Sequence, residues 1–437
     1  MAHESGTEVS HHREINLRSH RIGHTNVQTS DDSRCLPKAV VAFAGARDAY
    51  QLPLALSEAG LLERLVTDRY LPSWLSSPLQ AIGRTELAAP DLPFSKIRVP
   101  SGALADFVAE KLGFGSTGGL VKGAAMGVEA RAIARHHGAA VFSYSTSAFE
   151  ALISPEIPHR LLFQYHPHPH SVKKILLEEI ERTPWAAISL RAEPELSLSE
   201  EKFELLCEES KMATGIVAAS TFTAETLVAN GIESERIHLI PYGVNRAIFR
   251  EKSLHASPLP LRIAFVGSMA QRKGISYLLE AIRLCASNQL QLVICTRSRP
   301  AAHWEDKLPA NWETHVGLNR ERMVRTLQTC HMLALPSLVE GFGHVILEGL
   351  SIGLPVIATP HTGGPDVLRD GSDGFIVPVR DSAAIAAKLE WALDNPVQLR
   401  DMAAQAIKTA RRFSWELFRM RIVSAYRQMV ANVDSKN

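Results

Sequence analysis

One turn-and-helix segment carries the residues best suited to grip a ligand. Residues 336–358 read PSLVEGFGHVILEGLSIGLPVIA, which predicts a strand end, a turn containing Gly341 and Gly343, and then a helix. Two glycines before a helix let the backbone approach a ligand and leave N–H groups pointing outward. Such a helix start favours anionic or electron-rich groups. Glu340 lies in this turn, and Glu348 lies eight residues later on the helix.

The two glutamates are too far apart for paired acid–base chemistry. At about 1.5 Å per residue they are separated by roughly 12 Å along the helix axis. The paired carboxyls of a glycosidase stand only roughly 5–9.5 Å apart. The longer span suits contacts with two ends of one long ligand. For either residue alone, a helix-cap neighbour (Glu340) or a solvated helix position (Glu348) remains an equal alternative.

A second segment places two cations at a strand-to-helix turn. Residues 265–282 read FVGSMAQRKGISYLLEAI, which predicts a strand ending at Gly267, a short loop with Arg272 and Lys273, and an amphipathic helix. Adjacent cations suit a diphosphate, because arginine binds it through two hydrogen bonds and lysine acts as a point charge. Taken alone, this pair is more typical of an ordinary charged surface.

The segment QYHPHPHS (164–171) spaces His166, His168 and His170 two residues apart. Alternate histidines can share one face of a strand and bind zinc. Two prolines interrupt a regular strand here, and no cysteine or carboxylate lies within the cluster. We therefore expect no metal at this segment. The glycine-rich stretch GFGSTGG (113–119) follows a helical pattern instead of a strand, which favours a flexible loop over a phosphate-binding loop.

The elements that must position these residues form two series of alternating strands and helices. Such alternation predicts parallel sheets covered on both faces. Strands are predicted at 38–45, 65–68, 139–145, 160–166 and 214–220, and then at 261–268, 290–296, 331–337, 354–359 and 374–378. Helices are predicted at 119–136, 172–183 and 198–212, and then at 274–287, 319–330, 343–352, 381–394 and 414–430. The polar segment 246–260 is a linker candidate between the series.

These patterns predict four regions. They are a disordered polar tail (1–36), a first domain (37–245), a second domain (246–412) and a C-terminal helical segment (413–437).

Composition excludes several classes of protein. The 437 residues contain 47 Lys plus Arg and 46 Asp plus Glu, a formal net charge of +1, which argues against a protein that coats nucleic acid. No apolar stretch approaches the roughly 18 residues of a membrane span. Five widely spaced cysteines without a C-x-x-C pair favour a reducing cytoplasm over a disulfide framework.

In their order and spacing, these segments resemble the GT-B glycosyltransferases, in particular the retaining group 1 (family 4) type with an E-x7-E motif. The resemblance runs from about residue 36 to 430. It includes VAASTFTAETLVANGIESERIHLIPYGVN (217–245), ATPHTGGPDVLRDGSDGFIVP (358–378) and FSWELFRMRIVSAYRQM (413–429). It implies an α/β fold of two Rossmann-like, doubly wound parallel-sheet domains facing a central cleft.

The resemblance also implies roles for residues of the second domain. Glu340, with Gly341 and the backbone N–H groups of Phe342 and Gly343, would contact the donor sugar, and Glu348 would hold the nucleotide ribose. Lys273 and Gly267 would face the diphosphate. Many members carry Arg where this chain has Ser268, so Arg272 is expected to supply that charge. The segment ICTRSRP (294–300) departs from the G-x-G that the family often has at this strand end. The identity of the nucleotide therefore stays open, and the donor is expected to be a UDP- or GDP-sugar.

In the first domain, His166 matches the family's active-site histidine, with His168 as a weaker candidate. Gly45, Ala46 and Arg47 end the first strand and would border the acceptor. Basic residues on this domain are compatible with a peripheral contact at the inner membrane face and a lipid-linked acceptor, although a solvated helix face is favoured. These residues are Lys111, Lys122, Arg131 and Arg135.

The expected function is therefore transfer of a hexosyl unit, with retention, from a nucleotide-sugar to a sugar or lipid-linked acceptor hydroxyl in glycoconjugate synthesis. No D-x-D motif, which would hold a metal ion on the diphosphate, occurs in the sequence, so no metal or other cofactor is expected. The balanced net charge argues against a nucleic-acid partner. A non-catalytic nucleotide-sugar sensor and a nucleotide-sugar epimerase are the alternatives. A dehydrogenase would need G-x-G-x-x-G where this chain has AGARDAY (44–50).

Overall fold

The computed structural model describes residues 36–45, 47–68, 70, 92–100, 119–252, 259–299, 304, 307–309 and 311–435. The predicted tail, apart from Leu36, lies outside these residues. So do Ala46, Lys111, the side chain of Lys122 and residues 113–118 of the glycine-rich stretch.

The first half of the chain forms a sheet in which seven described strands run parallel. Their order is β3-β2-β1-β4-β5-β6-β7. Every residue of β1 and β4 is buried, as expected for central strands covered by helices on both faces. The strands are β1 (Ala39–Phe43), β2 (Leu62–Thr67), β3 (Ile97–Arg98), β4 (Ala140–Tyr144), β5 (Arg160–Gln164), β6 (Gly215–Ala218) and β7 (Ile237–Leu239).

The helices of this half alternate with its strands. They are α1 (Gln51–Glu58), α2 (Gly119–His137), α3 (Phe149–Leu152), α4 (Pro169–Arg182), α5 (Ala187–Arg191), α6 (Pro194–Ser197), α7 (Glu200–Met212) and α8 (Thr221–Ala229).

The second half repeats this architecture around its own sheet. Six described strands run parallel in the order β10-β9-β8-β11-β12-β13. The strands are β8 (Leu261–Val266), β9 (Leu290–Thr296), β10 (Trp312–Val316), β11 (Met332–Leu335), β12 (Val356–Ala358) and β13 (Gly374–Ile376). The helices are α9 (Ile275–Cys285), α10 (Arg320–Gln328), α11 (His344–Ile352), α12 (Gly364–Val367), α13 (Ser382–Asp394), α14 (Pro396–Ala410) and α15 (Trp415–Asp434).

The predicted pair of doubly wound parallel sheets is confirmed, with local differences. The strands β3, β7 and β10 were not predicted, because β3 has only two residues and neither β7 nor β10 has a buried position. Helix α4 begins three residues earlier than predicted. Pro169 fits its first turn, where no N–H is needed, and His168 caps it by accepting a hydrogen bond from the His170 backbone N–H.

Helix α15 packs on the first half of the chain. The Tyr426 hydroxyl donates to the backbone carbonyl of Pro37 at 2.6 Å. A Cβ at Gly215 of β6 would meet the Met429 side chain at 2.6 Å, so the glycine admits the helix against the sheet. Within the part of the chain that the structure describes, no helix combines the length and apolar character needed to cross a membrane.

Candidate active site

The two segments singled out in the second half meet at the carboxyl edge of its sheet. Strands β8 and β11 are parallel neighbours, so the loops that follow them leave from the same edge. The backbone N–H of Leu338 donates to the carbonyl of Arg272 at 2.9 Å, which ties the two loops together. Gly267 has φ 145°, and a Cβ there would lie 3.8 Å from Cε of Lys273. The Lys273 side chain therefore passes close to the end of β8.

Arg272, Lys273 and Glu340 form a half-buried ion cluster. Lys273 Nζ pairs with Glu340 Oε2, and Arg272 Nη1 lies 3.5 Å from the same oxygen. Arg272 Nη1 also donates to the carbonyl of Val339 at 3.0 Å. Burial raises the pKa of Glu340, but Lys273 and Arg272 together lower it to about 2. This carboxylate therefore stays ionised at neutral pH and can accept hydrogen bonds from hydroxyl groups.

The first half of the chain contributes a second acid to this cluster. Arg272 Nε lies 3.0 Å from Oε2 of Glu193, which precedes α6. Burial lowers the pKa of Arg272, whereas Glu340 and Glu193 raise it above its ordinary value on balance. Sequence reasoning missed Glu193, which lies 79 residues from Arg272 and belongs to no motif.

His166 follows β5 and faces the same charges. Burial lowers its pKa to about 4, with Arg272 adding to the effect, so the imidazole is neutral at pH 7. Among the described residues, its Nδ1 has no hydrogen-bond partner. The Arg47 guanidinium lies 4.3 Å from the centre of the Tyr165 ring, next to His166. The structure thus brings Arg47 and His166 to the edge of the ion cluster.

The turn before α11 packs closely against the first half of the chain and is hydrogen-bonded to it. A Cβ at Gly341 would lie 1.8 Å from the carbonyl oxygen of Tyr165, so only glycine fits. The Gly341 carbonyl accepts hydrogen bonds from Ser220 Oγ at 2.5 Å and Thr223 Oγ1 at 3.1 Å. Gly343 has φ 83°, a left-handed conformation that glycine adopts readily, and it precedes the first residue of α11.

The remaining predicted site residues take different positions. Phe342 is buried, Ser268 is exposed, and Glu348 is half-buried on α11. The Gly45 N–H donates to Asp68 Oδ1 at 2.6 Å. His168 is buried, and its N–H donates to Thr226 Oγ1 at 2.9 Å. The structure therefore gives His168 a helix-capping position instead of one beside Glu340.

The loop after β1 holds a carboxyl group that sequence reasoning missed. Asp48, Ala49 and Tyr50 have φ values of 39°, 50° and 62°, which are strained for residues other than glycine. The Tyr144 hydroxyl donates to Asp48 Oδ2, whereas Oδ1 has no partner among the described residues. Burial raises the pKa of Asp48 to about 7. Nothing in the sequence AGARDAY indicates three successive left-handed residues, since Asp48, Ala49 and Tyr50 are not glycines.

A second buried cluster joins the two halves beside the first. The fully buried carboxylate of Glu179, on α4, accepts hydrogen bonds from Gln271 Nε2 at 2.7 Å and the Tyr277 hydroxyl at 2.9 Å. Arg380 Nε also donates to it at 2.7 Å. Because Gln271 directly precedes Arg272, the packing of α4 is coupled to the position of the ion cluster.

Comparison with known proteins relates the chain to a family of glycosyltransferases. Residues 247–413 match the family model of the glycosyl transferases group 1. That part of the chain is similar to this family, and the two-sheet architecture is the GT-B fold of glycosyltransferases. The predicted GT-B fold is thereby confirmed, and the match agrees with the predicted resemblance to the group 1 glycosyltransferases.

The chain is similar to individual members over different lengths. It is 27% identical over 227 residues to the MMP alpha-(1->4)-mannosyltransferase of Mycolicibacterium hassiacum, which covers 50% of this chain and 54% of that protein. The match thus spans about half of that relative's length.

Two solved structures share the fold over most of the chain. Sucrose-phosphate synthase from Thermosynechococcus elongatus gives a TM-score of 0.60 at 17% identity, covering 90% of this chain and 100% of that one. HepE of Anabaena, in complex with UDP, gives 0.57 at 13% identity, covering 91% and 100%.

Proposed function

We propose that this protein transfers a hexosyl unit from a UDP- or GDP-sugar to an acceptor hydroxyl, with retention of anomeric configuration. The observation that best supports this proposal is the ion cluster of Arg272, Lys273 and Glu340 at the edge of the second sheet, with His166 of the first half beside it. The family similarity of residues 247–413 supports the choice of donor class, as does the UDP bound by HepE, which shares the fold.

The two cations supply the main chemical need of such a reaction. As the bond to the sugar breaks, negative charge grows on the diphosphate and must be stabilised. Arg272 and Lys273 would meet this charge, together with the outward-facing N–H groups at the start of α11. Neither role requires a metal ion, in keeping with the absence of a D-x-D motif from the sequence. Gly267 and exposed Ser268 would border the phosphates.

The acids would orient the sugar nucleotide. The ionised Glu340 carboxylate and the Phe342 and Gly343 N–H groups would bind sugar hydroxyls, and Glu348 would bind the ribose. Neutral His166 would hydrogen-bond the sugar from the opposite side. The acceptor would attack from the face that the diphosphate leaves, and a departing phosphate oxygen would take the acceptor's proton. The two halves, in contact at Gly341, would exclude water from this reaction.

We place the acceptor at the carboxyl edge of the first sheet. Gly45, Arg47 and Asp48 lie there, and the unpartnered Oδ1 of Asp48 is suited to accept a hydrogen bond from an acceptor hydroxyl. The proposed acceptor is a sugar or a lipid-linked glycan, and the latter would bring the protein to a membrane surface from the cytoplasm.

The deciding experiment is nucleoside diphosphate release from a panel of UDP-, GDP- and ADP-sugars, with and without lipid-linked glycans. One donor should give release that depends on the acceptor, unaffected by a metal chelator. NMR of the product should show the donor's anomeric configuration. A sensor would bind a donor without release, and an epimerase would convert the sugar without an acceptor; either result would refute transfer.

A further inference from the structure

A cluster of mixed metal-ligating side chains lies outside the donor site. His170, Glu204 and Cys207 place one donor atom each within 4.8 Å of one another. His170 lies on the first turn of α4, while Glu204 and Cys207 are three residues apart on α7. Residues at this spacing share one face of a helix. The cysteine is buried and the other two residues are exposed, so the cluster opens to solvent on one side.

The cluster provides the cysteine and the carboxylate that are missing from the histidine-rich segment 164–171. The three histidines do not form one metal site, since His166 faces the ion cluster and His168 caps α4. His170 instead meets a thiol and a carboxylate from a helix more than thirty residues further along the chain. Nitrogen, oxygen and sulfur ligands together are typical of zinc, whereas calcium and magnesium prefer oxygen alone.

We propose that His170, Glu204 and Cys207 bind one zinc ion, with water in the fourth position. The thiolate and the carboxylate would offset the charge of Zn²⁺, and three protein ligands plus water is an established tetrahedral arrangement. The expectation of no metal, drawn from the histidines alone, is revised at this place. The inference does not depend on the proposed transferase activity.

The neighbouring residues support this ligand set. Two lysines that act electrostatically on Cys207 have carboxylate partners of their own, since Lys173 pairs with Glu200 at 3.3 Å and Lys211 pairs with Glu208 at 2.6 Å. The His168 ring stacks on His170 with centroids 5.6 Å apart, which helps to orient the ligating imidazole. A bound zinc would fasten the start of α4 to α7. Because His170 is four residues from His166, it would also steady the strand end beside the ion cluster.

The test is metal titration of the full-length, chelator-treated protein. We expect one zinc per chain that binds tightly, and a Co²⁺ complex with thiolate-to-metal charge-transfer absorption. His170→Gln and Glu204→Gln should each weaken zinc binding by more than roughly tenfold. Cys207→Ser should abolish the charge-transfer absorption. Zinc should raise the midpoint of thermal unfolding of the unmodified protein but not of His170→Gln, because only a ligand bound to the folded state stabilises it.

Matched controls separate this cluster from the other thiols of the chain. Cys35→Ser and Cys285→Ser should keep both the zinc affinity and the cobalt absorption. Persistence of that absorption in Cys207→Ser, or unchanged zinc affinity in His170→Gln, would overturn the proposal. If Cys207→Ser fails to fold, His170→Gln decides alone, because its side chain is exposed.

Discussion

The carbonyl oxygen of Tyr165 occupies the place where a side chain at residue 341 would begin, 1.8 Å from the position of a Cβ on Gly341. This contact sets how closely the end of β5 approaches the turn before α11. It brings His166 beside Glu340 without a covalent or ionic link between them.

Gly341→Ala should therefore separate the two faces of the site while each half stays folded. A displacement of about 1 Å can cost roughly 100-fold in rate, so kcat/KM should fall by about that factor. Gly349→Ala is the matched control, because the three atoms nearest to its Cβ would be side-chain atoms of the second half, the closest at 3.2 Å. Steady-state kinetics of both variants, with circular dichroism to check folding, test this. Equal loss in both would show that the Tyr165 contact is not responsible.

Removing either member of the central ion pair should impair transfer. On the proposed function, Lys273→Ala would remove charge stabilisation of the leaving group and Glu340→Ala would remove a sugar contact, so each should lower turnover at least roughly tenfold. Arg325→Ala serves as control, because its ion pair with Glu321 lies on the exposed face of α10. Near-normal transfer by Lys273→Ala or Glu340→Ala, measured as nucleoside diphosphate release, would contradict the assigned site.

Glu193→Gln should strengthen binding of the nucleoside diphosphate. Glu193 lies 3.0 Å from Arg272 and would compete with the diphosphate of the proposed donor for this cation. Loss of about 1 kcal/mol of competing interaction corresponds to roughly fivefold tighter binding. Isothermal titration calorimetry with UDP and GDP measures this, and Glu201→Gln on the exposed face of α7 is the control. Weaker binding would mean that Glu193 orients Arg272 instead of competing for it.

Glu179→Gln should destabilise the fold, since Arg380 would keep its charge in a largely buried position with only the more distant and more exposed Glu178 as an acidic partner. Breaking a buried ion pair from one side costs about 3 kcal/mol, and the midpoint of urea unfolding should fall accordingly. Glu178→Gln is a close control, because Glu178 is adjacent, more exposed and 3.6 Å from Arg380. Equal stability of the two variants would show that the buried contact is not a major stabilising interaction.

Activity should depend on the ionisation of Asp48. Because burial raises its pKa to about 7, the group is mostly protonated below that pH and becomes a hydrogen-bond-accepting carboxylate as pH rises. We expect kcat/KM for the acceptor to rise with pH through about 7 and Asp48→Asn to abolish this rise.

Tyr144→Phe supplies a directional check on Asp48. The Tyr144 hydrogen bond lowers the pKa of Asp48, so its removal should move the inflection to higher pH. An unchanged profile in both variants would assign the pH dependence to another group. Glu340 and His166, with pKa values of about 2 and 4, do not titrate in this range.

The sequence alone predicted the fold and singled out Arg272, Lys273 and Glu340, which the structure brings into one ion cluster. Buried strands such as β1 and β4 appear as continuous apolar runs, and helices as periodic ones, because these patterns reflect local burial on both faces. Gly341, Gly343 and the pair Arg272–Lys273 could be singled out because turn chemistry and neighbouring charges are local along the chain. The roles that the resemblance implies for these residues remain predictions.

Only the tertiary structure decided which distant side chains meet. Glu193 reaches Arg272 across 79 positions, Glu179 reaches Arg380 across 201, and His170 finds Cys207 on another helix. Each partner is a common residue type in an unremarkable local sequence. Their pairing depends on strand order and on the direction of each side chain, and those are fixed only when the elements pack together.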